Sequence, residues 1–217
     1  MVQTKLSLEL FFVCSVLLMC SLNNIAVADQ SDQDGFVSLF NGKDLTGWET
    51  KGNWLAEENG VVALKPRSGE EGWQRYDAYL MAAKPYHNFV LDFDYKIPPK
   101  GNSGVFFRVR DKANPVHTGL EIQILDSHGK KGALTPHDNG GLVGRQAASK
   151  NTSKPAGEWN RLIVTCSGER LGAKLNGEQI IDVNIDDPEA QKGKTYIGLQ
   201  DHGQPIWFRN IRIKQLP

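Results

Sequence analysis

Apolar positions in this chain recur at every second residue far more often than at every third or fourth. In "TGLEIQILDSHG", Leu120, Ile122 and Ile124 fall in one row while Glu121 and Gln123 fall in the other, the two-residue period of a pleated strand. The same alternation in "NSGVFFRVR" sets Val105, Phe107 and Val109 against Gly104, Phe106, Arg108 and Arg110. In "YIGLQDHG" it sets Ile197 and Leu199 against Gly198, Gln200 and His202. Further strands are expected at "FVSLF", "VVALK", "AYLMA", "FVLDFDYKI", "WNRLIVTCS", "RLGAKL", "QIIDVNI" and "IWFRNIRIK", all rich in β-branched and aromatic residues and bounded by Gly, Pro, Asn and Asp. Asn176-Gly177 predicts a type I′ hairpin turn, because both residues tolerate positive φ. With the tight return at "CSGERL", residues 159–183 read as a meander.

So many short strands, with no sustained helical spacing after the first 28 residues, predict an all-β fold: a two-sheet antiparallel β-sandwich or jelly roll. Two long polar stretches interrupt the strands, "PRSGEEGWQRYD" at 66–77 and the segment 126–155. Loops of that length are often binding elements. No repeat or linker divides residues 29–217, which read as a single domain.

Composition narrows the function. The 217 residues carry 25 basic and 25 acidic side chains, so there is no electrostatic case for nucleic acid or an anionic membrane as partner. Residues 1–28 read as a cleaved signal peptide: Lys5 precedes an apolar run from Leu10 to Cys20, and Ala26-Val27-Ala28 supplies the small-x-small cleavage pattern. The run is too short for a membrane span, and Met19 before Cys20 does not suit a lipoprotein signal. Export to the periplasm or beyond is therefore expected, with no membrane span in the mature chain. Cys166 is then the single remaining cysteine, expected as a buried, inert thiol.

Glu121, Gln123, Arg108, Gln200 and His202 sit on the polar rows of three strands, with Gly104 and Gly198 beside them. Small residues next to groups that make directed hydrogen bonds suit a concave ligand site; a solvated face with glycines at bulges is the alternative. Trp73 and Tyr76 in the first polar loop could stack on the C–H face of a pyranose, or simply pack the loop. Asp126, His128, His137 and Asp138 lack the spacing of a known metal motif, so neither metal nor cofactor is expected. No nucleophile elbow, Walker loop or dinucleotide fingerprint occurs in its required context.

Six fragments in order carry a resemblance: "SLFNGKDLTGW", "NFVLDFDYKIPPKGNSGVFFR", "GLEIQILD", "GEWNRLIV", "LNGEQIID" and "YIGLQDHGQPIWFRNIRIK". From about Gly35 to Lys214 the chain resembles the 3-keto-disaccharide hydrolase family, whose fold is a concanavalin A-like jelly roll. The resemblance implies a carbohydrate substrate oxidised at C3 and cleaved by net hydrolysis or by elimination. Carried over by motif, Glu121 is the expected base, His202 the partner acid or base, and Arg108 the cationic stabiliser of the enolate. Asn102, Gln123, Asp126, Gln200 and Asp201 are expected to bind substrate, with Trp73 and Tyr76. The family's Gly-x-x-Tyr element is missing: Val143 or Gly144 stands where its tyrosine is expected, with Arg145 as a substitute donor. A non-catalytic carbohydrate-binding module and a structural or adhesion domain are the rival readings, since fold alone does not fix function.

Overall fold

A computed structural model of the protein describes Met1, residues 34–188 and residues 193–217; the expected signal peptide, Met1 apart, lies outside them. Thirteen strands form among the described residues: β1 (Val37–Ser38), β2 (Trp48–Glu49), β3 (Trp54–Glu57), β4 (Val61–Leu64), β5 (Leu80–Ala82), β6 (Phe89–Lys96), β7 (Asn102–Val109), β8 (Leu120–Leu125), β9 (Asn160–Ser167), β10 (Arg170–Leu175), β11 (Glu178–Asn184), β12 (Tyr196–Leu199) and β13 (Ile206–Gln215). Each expected strand is present. The unexpected ones are β2 and β3, too short to show a period.

The strands form two antiparallel sheets. One has the order β11-β10-β9-β6-β13-β4-β3, with β1 also on β13, and the other β2-β5-β12-β7-β8. Inward rows meet in one apolar core: Leu91, Phe93 and Tyr95 of β6 and Phe208 of β13 face Val105 and Phe107 of β7 and Ile122 and Ile124 of β8, all at most 1% exposed. Burial of each such side chain stabilises the fold by roughly 1.5–3 kcal/mol, and Phe93→Ala would leave a void costing about 3–5 kcal/mol. Asn176 (φ 52°) and Gly177 (φ 89°) make the expected turn between β10 and β11.

Two bulges break the alternation. In β7, Phe106 and Val109 lie opposite Gly198 and Tyr196 of β12, three steps against two, and Arg108 takes φ 53°. An extra residue in one strand flips every later side chain. Val109 therefore joins Phe106 on the outer face, packed with Tyr79 and Met81, and Arg108 turns inward. In β13, Arg209 and Arg212 lie opposite Asp94 and Asp92 of β6, with Asn210 at φ 54°; both arginines thereby stay outward while Phe208 and Ile211 remain in the core.

The second polar stretch is anchored. The Gln123 amide donates to the Gly141 carbonyl (2.9 Å), the Gly140 amide to the Gln123 carbonyl (2.8 Å) and the Val143 amide to the Glu121 carbonyl (3.0 Å), so this segment lies along the free edge of β8. Asn139 fixes it to the core through Tyr95 Oη (2.7 Å) and Ser153 Oγ (2.8 Å).

Candidate functional site

The outer face of the five-stranded sheet divides in two. Its apolar half, Tyr79, Met81, Phe106 and Val109, is covered by Tyr76, Val116 and Tyr196. Its polar half is a grid set by register: Gln123 stands opposite Gly104, Glu121 opposite Phe106, and the Gln200 amide donates to the Gly104 carbonyl at 2.9 Å. Asn102, one two-residue repeat along β7 from Gly104, bonds the His202 ring (Nδ2 to Nε2, 3.2 Å) and accepts from Gln123 Nε2 at 2.6 Å. Gln123, Asn102 and His202 thus form one chain. With Asn102 Nδ2 donating, His202 Nε2 is the acceptor and its proton resides on Nδ1. Burial lowers the His202 pKa, which keeps the ring neutral near pH 7.

Glu121 is the outlier. Its residue is 9% exposed, its Oε1 has no hydrogen-bond partner, and burial pushes its carboxyl up to about 8. Leaving a charged oxygen dry and unpaired is so unfavourable that the proton stays on. The carboxyl leans across Gly104, where any Cβ would overlap Oε1. From there to Asn102 is roughly 6–7 Å along the strand, about the width of one sugar ring. Glu121 and the His202–Asn102 pair therefore stand about one ring width apart along this face, beside Gln200, whose Oε1 is likewise buried and unpartnered.

The two glycines work differently from expectation. Gly104 makes room for the Glu121 carboxyl, and Gly198 for Met81, whose Sδ would overlap a Cβ there. Neither leaves an open floor for a ligand.

Arg108 departs from the expected site. The bulge sends its side chain between the sheets, where it donates to the Gly168 carbonyl and lies beside Cys166; it is 2% exposed and its Nη1 has no partner. It cannot reach the face that holds Glu121. Cys166 is fully buried, and burial pushes its thiol up to about 12 despite that neighbouring cation.

Asp126 and Asp201 bind their own chain. Asp126 Oδ2 accepts from the Lys100 amide at 2.9 Å. Asp201, 0% exposed, accepts at Oδ1 from Arg75 Nη2 (2.7 Å) and the Gly203 amide (2.8 Å). Trp73 is exposed and leads inward through a series of rings: Trp73–Tyr76 centroids lie 6.1 Å apart, Tyr76–Tyr79 5.9 Å and Tyr79–Phe106 5.5 Å. Tyr76 is half-buried in that series. Among the metal candidates, Asp138 holds Lys130 (2.6 Å) and Thr135, His128 meets the Ser153 carbonyl (2.8 Å), and His137 is exposed. Among the described residues no three His, Cys, Asp or Glu side chains gather as a metal centre requires, and no helix is long and apolar enough to cross a membrane.

Tyr79 and Arg75 escaped the sequence reading. The Tyr79 phenol is buried, donates to the Trp73 carbonyl (2.8 Å) and accepts from Gln200 Nε2 (3.1 Å). Burial, and then the nearby Glu121 carboxylate, push it above its ordinary pKa while Gln200 pulls the other way. A hydroxyl inside the apolar run "AYLMA" was the available signal, because a buried phenol needs a partner. At the position lacking the expected tyrosine, Val143 bonds the Glu121 backbone, and Arg145 is exposed.

A groove of about 440 Å³ lies on the outer face of the other sheet, lined by Phe36, Asp92, Asp94, Arg161, Asn210 and Arg212 among others. Its carboxylates are already paired, Asp92 with Arg161 and Arg212 and Asp94 with Arg209.

A family model described as a 3-keto-alpha-glucoside-1,2-lyase-like domain matches residues 35–214. A protein of Bacteroides thetaiotaomicron named 3-keto-disaccharide hydrolase is 27% identical, over 85% of this chain and 80% of its own length. The crystal structure of a candidate glycosyl hydrolase from Parabacteroides distasonis superposes with a TM-score of 0.69 at 28% identity, over 85% of this chain and 95% of its own. The carbohydrate-binding module CBM66 of Bacillus subtilis, 18% identical, shares the fold with a TM-score of 0.54 over 78% of this chain and 96% of its own.

Proposed function

The chain belongs to the 3-keto-alpha-glucoside-1,2-lyase-like family, and on that premise we propose that it cleaves glycosides oxidised at C3, with Glu121 moving the C2 proton. The glycoside-processing part of this reading is supported by the family and by the name of the Bacteroides relative. One observation carries the rest: a carboxyl on the polar half of the five-stranded sheet's outer face, buried, unpartnered at Oε1 and raised to about 8.

A C3 ketone acidifies the C2 hydrogen. The Glu121 carboxylate takes that proton, charge develops on O3, and the C1–O bond breaks as the C1–C2 double bond forms. The departing oxygen takes up a proton, and water then adds to the enone. A raised pKa makes Glu121 a stronger base than an exposed carboxylate and leaves it protonated, hence ready to donate, in the next step. With Arg108 turned into the core, the donors left on the face are Asn102 and His202; we assign them to O3 and the leaving oxygen.

The test is a 3-keto-glucoside incubated in D₂O. Product release with deuterium at C2 is expected, with kcat/KM rising as pH approaches about 8 and levelling above it. Cleavage without exchange at C2 would turn the assignment toward direct hydrolysis; sugar binding without any product would make this a binding module. Export is part of the same reading, and N-terminal sequencing of the secreted protein should begin at Asp29.

A further inference from the structure

We infer that the polar loop 66–77 is a specificity wall for the second ring of the substrate, and that the Arg75–Asp201 pair is the latch that sets it. This rests on the reading of the Glu121 face as a glycoside-cleaving site.

The ends of the loop meet Asn53 and Lys51 (Arg67 Nη2 to Asn53 Oδ1, 3.2 Å; Lys51 amide to the Asp77 carbonyl, 2.8 Å), and its middle is fastened to one short segment, Gln200 to Gly203. Arg75 Nη2 bridges Asp201 Oδ1 (2.7 Å) and the Glu70 carbonyl (3.3 Å), joining the loop to the sheet and to itself. Gln200 holds Tyr79, whose hydroxyl holds the Trp73 carbonyl. Gly203 lies against the loop backbone: a Cβ there would come within 2.7 Å of the Glu70 carbonyl oxygen and of Glu71 Cα. Asp201 and Gly203 thus hold the loop directly and Gln200 holds it through Tyr79, while His202, between Asp201 and Gly203, goes to Asn102 and the site.

What the loop presents is Trp73, 36% exposed and among the few large apolar side chains left in solvent. Its ring stands two ring steps, 6.1 and 5.9 Å, from that of Tyr79 beside Glu121. A single pyranose over Glu121 does not span that distance, but a disaccharide does. A flat ring there suits the C–H face of the second sugar. Arg75 and Asp201 act through Trp73 and touch no substrate; they are positioning residues.

The experiment compares a methyl 3-keto-glucoside with a 3-keto-disaccharide in Asp201→Asn, Arg75→Ala and Trp73→Ala. For the disaccharide, KM should rise about tenfold in each variant, while KM for the methyl glycoside is unaffected; kcat should stay nearly unchanged in Arg75→Ala and Trp73→Ala, whereas Asp201→Asn also removes a charge beside His202 and is read by KM alone. Asp201→Asn combined with Trp73→Ala should add nothing to either change alone, since both remove the same contact. Equal rises in KM for both substrates, or additive rises, would overturn the latch. If the wild-type protein cleaves neither sugar, the functional reading falls by itself. The latch is then decided by hydrogen exchange: amides 70–76 should exchange about tenfold faster in Asp201→Asn, and unchanged exchange rejects it.

Discussion

The two outer faces of the sandwich are both rich in charge, yet they treat it in opposite ways. On the eight-stranded sheet, Asp92 receives Arg161 at 2.8 and 2.6 Å and Arg212 at 3.0 and 2.8 Å, and Asp94 receives Arg209 and Asn210. Arg209 also lies over the Trp159 ring at 4.1 Å, and Lys96 over Trp159 and Trp207. Among the described residues, no orphaned buried atom lies on that face. On the five-stranded sheet, Glu121 and Gln200 each keep a buried oxygen without a partner. A finished network stabilises a fold, whereas an unfinished one is waiting for a donor from elsewhere. Charge density and groove size alone point to the eight-stranded sheet, and the unpartnered oxygens to the other.

The two faces also respond to pH with opposite sign. Burial raises the Asp92 carboxyl, but Arg161 and Arg212 outweigh it and the net shift is downward. Its contribution is present above the ordinary carboxylate value and is lost as pH falls through the depressed native one. Glu121 is raised from 4.5 to about 8, so from 4.5 upward the unfolded chain releases a proton that the native state retains. Stability therefore falls by about 1.4 kcal/mol per pH unit across that window as an upper bound, then levels.

The sharpest way to break the contrast is Glu121→Gln. Turnover should fall about a thousandfold, and thermal melts should lose their decline between pH 4.5 and 8; retained turnover removes Glu121 from the reaction. Next comes Gly104→Ala, whose Cβ displaces the Glu121 carboxyl. Activity should drop about a hundredfold, as expected for a misplaced catalytic group, measured beside an unfolding curve. Asp92→Asn on the opposite face should cost about 1–2 kcal/mol in denaturant unfolding and leave kcat unchanged. That is less than a fully buried pair loses, because the Arg161 and Arg212 side chains remain 52% and 34% exposed. Smallest is Gly172→Ala, whose Cβ meets Gln179 Nε2 at 3.4 Å. A change within about 1 kcal/mol, with full activity, is expected there.

Much of this was legible from residue order. Period-two runs located the long strands, Asn176-Gly177 the hairpin, and the alternation in "LEIQIL" correctly put Glu121 and Gln123 on the side opposite the core. Arg108 shows where such reading stops. Its bulge has positive φ without a glycine to announce it, and one added residue reverses the inference for everything after it. Tyr79 and Arg75 were hidden for another reason: their roles depend on Gln200 and Asp201, more than a hundred positions away. Asp201 looked like a ligand for sugar because sequence reveals an acid but not whether its partner is already in the chain.

The segment 140–143 laid along β8 has a consequence for how copies of this molecule meet. A bare terminal strand invites another chain to extend the sheet, by dimerisation or by fibre growth. Here those backbone donors and acceptors are already spent, so the border nearest Glu121 is closed to such addition. Neighbours can approach this side only through side chains, so sheet extension from this border does not cover the face that holds Glu121.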